Sequence, residues 1–409
     1  MRWSPVDFER IKEGRPPESA ELLRALSVGV DFITDFWLEQ YLDAYISLGG
    51  SKIKFLTGSP GSGKSHCLGL FLAGAAERRY RTVALSARSS WIHDFKEIYS
   101  GVFASVDFGL CLKRCADNAV VEMGYRPEDI PEGMSFADYL ASRDLFDPVT
   151  RRELRSQLNA MFFKNPRIDR NFAIGAVLIT GGILGHPALE PAAQELLMSW
   201  LSGTKGAQLA PLRKLGVSPS WKPSRITKYN ARHMLRSLVE IIRMAGFSGI
   251  AVGIDDMEIL AGASSLEDIR YTKMRREDAY ESIRELIDEI DTLSHTMFVF
   301  AFNRGLIDNE TTGFKSYQAL WMRIQNEIES GRFNRFSDII DLDKMARQQY
   351  TPQVLSEMSR RLSDAMAEAG MESTPVNPDV VAAMMLKTGD DASRQSMPRL
   401  INRMTLGGV

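Results

Sequence analysis

The stretch Lys52–Leu70, KIKFLTGSPGSGKSHCLGL, limits what this chain can fold into more than any other part of it. Ile53, Phe55 and Leu56 read as a short buried strand, and the apolar run after Ser65 reads as a helix. Between them, Gly58-Ser59-Pro60-Gly61-Ser62-Gly63-Lys64-Ser65 fits G-x-x-x-x-G-K-[ST] at its fixed positions. Glycines at 58, 61 and 63 let a backbone turn tightly and aim its N–H groups at phosphate oxygens. The helix that starts near Gly63 adds the positive end of its dipole. Lys64 is a point charge for the β- and γ-phosphates, and Ser65 offers a hydroxyl to Mg²⁺. With His66, these residues form the candidate phosphate-binding set. The alternative is a glycine-rich turn that binds nothing, and it needs the same pattern to arise by chance between a strand and a helix.

The chain has 409 residues, room for two or three domains at ~150 residues each. A net charge of −2 gives no overall pull toward nucleic acid or an acidic membrane, so any such binding needs a local patch. The three cysteines, Cys67, Cys111 and Cys115, are too few for a disulfide framework and suit a reducing cytoplasm. Cys111 and Cys115 stand four apart with no further zinc ligands in evidence, which favours core packing. The N-terminus lacks the apolar stretch of a signal peptide. The run Phe172–Gly185 is shorter than the ~20 residues a membrane-spanning helix needs, and reads as a buried helix or helix–turn.

Further short apolar runs at Thr82–Leu85, Gly249–Ile254, Met297–Phe302 and Asp338–Leu342 read as strands separated by helical stretches. The fold class expected is therefore α/β, a P-loop-type parallel five-stranded sheet with helices on both faces. About 160 residues separate the second and third strands, far more than the few tens a plain crossover needs. The expected organisation is a helical segment over 1–50, a core in two parts (51–103 and 246–345), a helical insertion over 104–245, and a helical region over 346–409. The bend at Ser27-Val28-Gly29-Val30 precedes the first strand, and Val28 and Gly29 are candidates to pack on a nucleotide base; an ordinary turn between helices is the alternative.

The third strand runs into Asp255-Asp256-Met257-Glu258. An acid at the end of such a strand holds Mg²⁺ in P-loop enzymes, and Asp255 fits that role. Asp256 stands where a longer glutamate would polarise the attacking water. Misplacement by about 1 Å can cost ~10²-fold in rate, so hydrolysis is expected to be slow or to use Glu258. Asn303, at the end of the fourth strand, is a candidate to orient water; a turn cap is the alternative. Arg323, Arg332, Arg335, Arg394 and Arg399 are candidates to neutralise phosphate charge. Ser202–Val239 holds eight Lys and Arg with no Asp or Glu, interleaved with Trp221 and Tyr229. It is a candidate DNA surface through Lys222, Arg225, Lys228 and Arg232, a docking face for an acidic partner, or a belt balanced by the acid-rich Glu277–Asp291. The five histidines lack zinc-hydrolase spacing.

Taken together, the motifs resemble the AAA+ branch of P-loop ATPases, with Walker A at Gly58–Ser65, Walker B at Ile254-Asp255-Asp256, sensor 1 at Asn303, an arginine before the fifth strand and sensor 2 near Arg399. More narrowly, the chain is similar to the ATP-binding proteins of bacteriophage-exclusion (BREX) defence systems. LLRALSVGV, LTGSPGSGKSH, MSWLSGTKGAQLAPLRKLGV, YNARHMLRSLVEIIRMAGFSGIAVGIDDMEIL, AYESIRELIDEI and GRFNRFSDIIDL carry that similarity. The resemblance implies ATP and Mg²⁺ as ligands, a C-terminal helical lid, oligomerisation with ATP and partners among other defence proteins. It implies a slow ATPase acting as an assembly switch in the cytoplasm; a non-hydrolysing scaffold or a DNA-binding adaptor are the alternatives. The chain departs from the family pattern in having Asp255-Asp256 where Asp-Glu is expected and Asn303 where Thr is common. It also ends soon after Arg403, without the length for a winged-helix domain.

Overall fold

The computed structural model describes residues 2–207, 209–215, 221–262, 265–328, 333–387 and 397–407. Five strands form one parallel sheet: β1 (Ser51–Gly58), β2 (Tyr80–Ser86), β3 (Gly249–Asp255), β4 (Thr296–Asn303) and β5 (Ile339–Asp341), in the order β2-β3-β4-β1-β5. β1 pairs in parallel with β4, Ser51 opposite Thr296 through to Gly58 opposite Asn303, and on its other side with β5, Thr57 opposite Asp341. This register brings the carboxyl ends of the strands level. Gly58, Asn303 and Asp341 stand side by side there, and Asp255 and Ser86 end the next two strands in the row.

The central strands are buried on both faces, as parallel sheets require. Met297, Phe298, Val299, Phe300, Ala301 and Phe302 are buried without a break. Lys54 is the exception in chemistry but not in burial. Its ammonium lies within the β1 edge, donating to the carbonyls of Phe336 (3.0 Å) and Ser337 (2.7 Å) and to Asp338 (3.0 Å), with Tyr41 beneath it. That bond set pins the chain that enters β5. On one face the core joins the helix Lys64–Glu77 to Asp31–Phe36, which continues as a π-type helix over Trp37–Ile46, and to the C-terminal helices through Leu355, Val381 and Ile401.

The chain divides into two compact units, one of residues 1–93 with 251–409, the other of residues 94–250. The second is helical, with helices at Phe95–Ser105, Phe108–Glu122, Phe136–Ala141, Pro148–Phe163, Arg170–Leu184, Pro191–Leu201, Leu209–Lys214 and Ala231–Met244. The apolar run at 172–185 is one buried helix, ended by Gly185 at φ 80°. Cys111 and Cys115 are buried in the core of this unit, and no group of residues with metal-binding spacing occurs among the described residues. No described helix is long and apolar enough to cross a membrane.

Candidate phosphate and base site

The loop after β1 turns through Gly61 (φ 86°) and Gly63 (φ 95°), conformations open to glycine and strained for other residues. Gly63 then opens the helix at Lys64. The Lys64 side chain is buried and folds back on its own loop, Nζ 3.2 Å from the Gly58 carbonyl and 2.9 Å from that of Ser59. Burial lowers its pKa, while Glu258, Asp255, Asp343 and Asp256 act in the opposite sense. An ammonium under the pull of four carboxylates can exchange its carbonyl acceptors for phosphate oxygens. Ser65 hydrogen-bonds Asp255, whose carboxyl is raised to about 6 by burial and then by the adjoining Asp256. Ser62 Oγ is buried with no partner among the described residues.

The acids at the end of β3 are arranged by a bend. Asp256 sits at φ 60°, a left-handed conformation, and its N–H donates to Asp255 Oδ1 at 2.7 Å. Asp256 Oδ2 accepts from Ser86 Oγ at 2.6 Å, and Oδ1 lies 3.1 Å from Arg88 Nε. Glu258, one turn later, accepts the Asn303 backbone N–H at 3.2 Å and pairs with Arg88 Nη2 at 3.2 Å. Asn303 itself stands beside Gly58 in the β4–β1 register. On the other side of the loop, Asp343 is fully buried and grips Ser59, accepting from its N–H at 2.9 Å and its hydroxyl at 2.9 Å.

A cavity of ≈ 220 Å³ opens against Gly61–His66. Its other walls are the N-terminal segment (Ile11, Pro17, Val28, Val30) and the C-terminal helices (Tyr350, Met358). Gly29, at φ 77°, lies against the Tyr350 ring. The Ser27 carbonyl accepts from Arg361 at 2.6 Å, which ties this bend to the helix Pro352–Glu368. His66 also lines the cavity, its Nε2 2.8 Å from Ser27 Oγ. Arg399 lies between Gly14 and Gly61 so closely that a Cβ on Gly61 would come 3.0 Å from the Arg399 Cβ. Its Nε is buried without a partner among the described residues.

The family model for the BREX system ATP-binding protein BrxC/D matches residues 9–406, nearly the whole chain. The chain belongs to that family. Nucleotide binding and a place in phage defence come to it with the BREX membership. Neither a curated protein nor a solved structure matches it.

In this BREX ATP-binding chain, the sequence candidates divide by position. Lys64, Ser65, Asp255, Glu258 and Asn303 meet at the strand ends, Val28, His66 and Arg399 border the cavity, and Gly29 lies against Tyr350. Asp256 is near them but occupied on both oxygens. Arg335 is elsewhere, its guanidinium 4.7 Å over the Phe36 ring, and Arg323 pairs with Asp288. Arg332 and Arg394 lie outside the described residues.

In the basic segment, Lys222, Arg225, Lys228 and Tyr229 are exposed, but Arg232 packs over Phe95. The expectation that Trp221 offers a stacking face is corrected: it is 6% exposed and packs edge-on against Trp200. In the acid-rich Glu277–Asp291 segment, Glu281 and Asp288 pair with Arg284 and Arg323. Sequence reading missed Arg88, Asp343, Tyr350 and Asn402. Each reaches the site from a distant part of the chain, and none belongs to a local motif.

Proposed function

We propose that this chain binds Mg–ATP, hydrolyses it slowly, and uses its occupancy to control assembly with other defence components. The observation that carries this reading is the cavity at the phosphate loop, whose walls come from three separated segments, residues 11–30, 61–66 and 350–402. A ligand filling it contacts all three at once, and so couples nucleotide binding to the arrangement of the two segments that flank the loop.

In this reading, Lys64 moves from the Gly58 and Ser59 carbonyls to the phosphates, and loop N–H groups and the Ser62 hydroxyl take the remaining oxygens. The Ser65 hydroxyl and Asp255 are hard oxygen donors of the kind Mg²⁺ accepts, and the metal would neutralise charge on the phosphates. Arg399 supplies a second cation over the loop, and Val28, Gly29 and Tyr350 flank the base. Glu258 serves as the general base that takes the proton from water, with Asn303 orienting that water; the Glu258 oxygens, like those of Asp256, must first leave protein donors, Arg88 and the Asn303 N–H. Arg332 and Arg335 are left as candidates to act on a neighbouring copy. The engaged acids favour slow turnover, and they equally support the second reading, a scaffold that binds ATP without hydrolysing it.

Calorimetry with Mg–ATP and phosphate release on the same protein decide between them. Wild type is expected to bind and to release phosphate. Lys64→Ala is expected to lose binding by tenfold or more, and Asp255→Ala to abolish release. No heat of association in the wild type overturns nucleotide binding by this site; binding without release leaves the scaffold.

A further inference from the structure

Arg88, two residues beyond β2, is the point where three acids meet. Its Nε faces Asp256 at 3.1 Å, its Nη2 faces Glu258 at 3.2 Å, and its Nη1 donates to Asp268 at 2.8 Å. Asp268 belongs to a strap, residues 265–271, that lies across the end of β2. The strap is fastened at several points. Ile269 N–H donates to the Arg88 carbonyl at 3.0 Å, and Ser265 N–H donates to Asp268 Oδ2 at 2.9 Å. The Tyr271 hydroxyl is 3.1 Å from the carbonyls of both Ala87 and Ser90 and accepts from Ile92 N–H at 3.2 Å. Asp268 is nearly buried, with its side chain 11% exposed.

A planar guanidinium held on three sides is a fixed fork. Two of its tines point at the acids beside the phosphate loop and the third at the strap. While Glu258 is paired with Arg88 through Oε1 and accepts the Asn303 N–H through Oε2, its oxygens face protein donors. A carboxylate so held is poorly placed to accept a proton from water, since a general base must be within hydrogen-bond reach of that proton.

We propose that Arg88 is a positioning residue that restrains hydrolysis: it holds Glu258 and Asp256 in a resting arrangement and ties that arrangement to the 265–271 strap, so that displacing the strap frees Glu258. The proposal rests on the reading of Glu258 as the general base for ATP hydrolysis. No bond is made or broken at Arg88; it changes partners, and Glu258 is released toward the attacking water.

Two substitutions test it, one at each end of the fork. Arg88→Ala removes the restraint, and Asp268→Ala cuts only its link to the strap. Both are expected to raise kcat for ATP hydrolysis several-fold with KM and calorimetric Mg–ATP affinity unchanged. Amide exchange is expected to quicken in residues 86–93 and 265–271, and Arg88→Lys to stay closer to wild type. A purely structural role would lower kcat or leave it alone. If Arg88→Ala is unfolded by circular dichroism, Asp268→Ala alone decides. Variants that hydrolyse no faster than wild type overturn the proposal, whatever the wild-type rate. Wild type that fails to bind Mg–ATP overturns instead the reading beneath it.

Discussion

His66 is half-buried on the cavity wall beside the phosphate loop, and desolvation there lowers its pKa to about 4. The unfolded chain has an ordinary imidazole, near 6.5. Between those values the unfolded state takes up a proton and the native state does not. Stability from this residue is therefore complete above about pH 6.5 and falls as the pH drops toward 4, by about 3 kcal/mol at most. His66→Gln is expected to flatten that slope, measured as the difference in urea midpoint between pH 7.5 and 5. A slope unchanged by the substitution would assign the acid sensitivity elsewhere. At this scale the sequence is readable where chemistry is local. Gly58 to Ser65 and Asp255 announce themselves by spacing. Arg88 and Asp343 do not, because the partners that give them meaning, Asp256 and Ser59, lie 168 and 284 positions away in the chain. The burial of Trp221 was hidden for a different reason: its interleaving with basic residues signals an exposed face, while its packing against Trp200 is a tertiary fact.

Among the elements, all five strands stand where runs of Val, Ile and Phe suggested, because a strand buried on both faces has few ways to be written. Their order was not legible, since nothing local in β4 says that it lies between β3 and β1. The two lysines of β1 show how one ion-pair partner yields two energies. Lys52 and Lys54 both meet Asp338, at 2.6 and 3.0 Å, but the Lys52 side chain is 29% exposed and that of Lys54 is fully buried with two further carbonyl acceptors. Lys52→Met is expected to cost under about 1 kcal/mol. Lys54→Met leaves buried acceptors unpaired and is expected to cost about 3 kcal/mol and loosen β5. Chemical denaturation of the two variants checks the ordering; equal losses would mean that β5 is not held by Lys54.

For the molecule as a whole, the cavity gathers residues from near both ends of the described chain. Mg–ATP is expected to slow amide exchange in residues 11–30 and 350–402 together, and to do so in wild type but not in Lys64→Ala. Slowing confined to residues 58–66 would show that the ligand is gripped by the loop alone and would remove the basis for an assembly switch. The helical unit of residues 94–250 carries its own basic segment, the separate place to look for a phosphate-rich partner.

Arg399 rests against Gly61 on one side and Gly14 on the other. Two segments far apart in the polypeptide thus share a single side chain above the loop. A change that strains the backbone near Gly14 would be felt near Arg399, and the reverse, so the two segments are best treated as one functional part when either is altered.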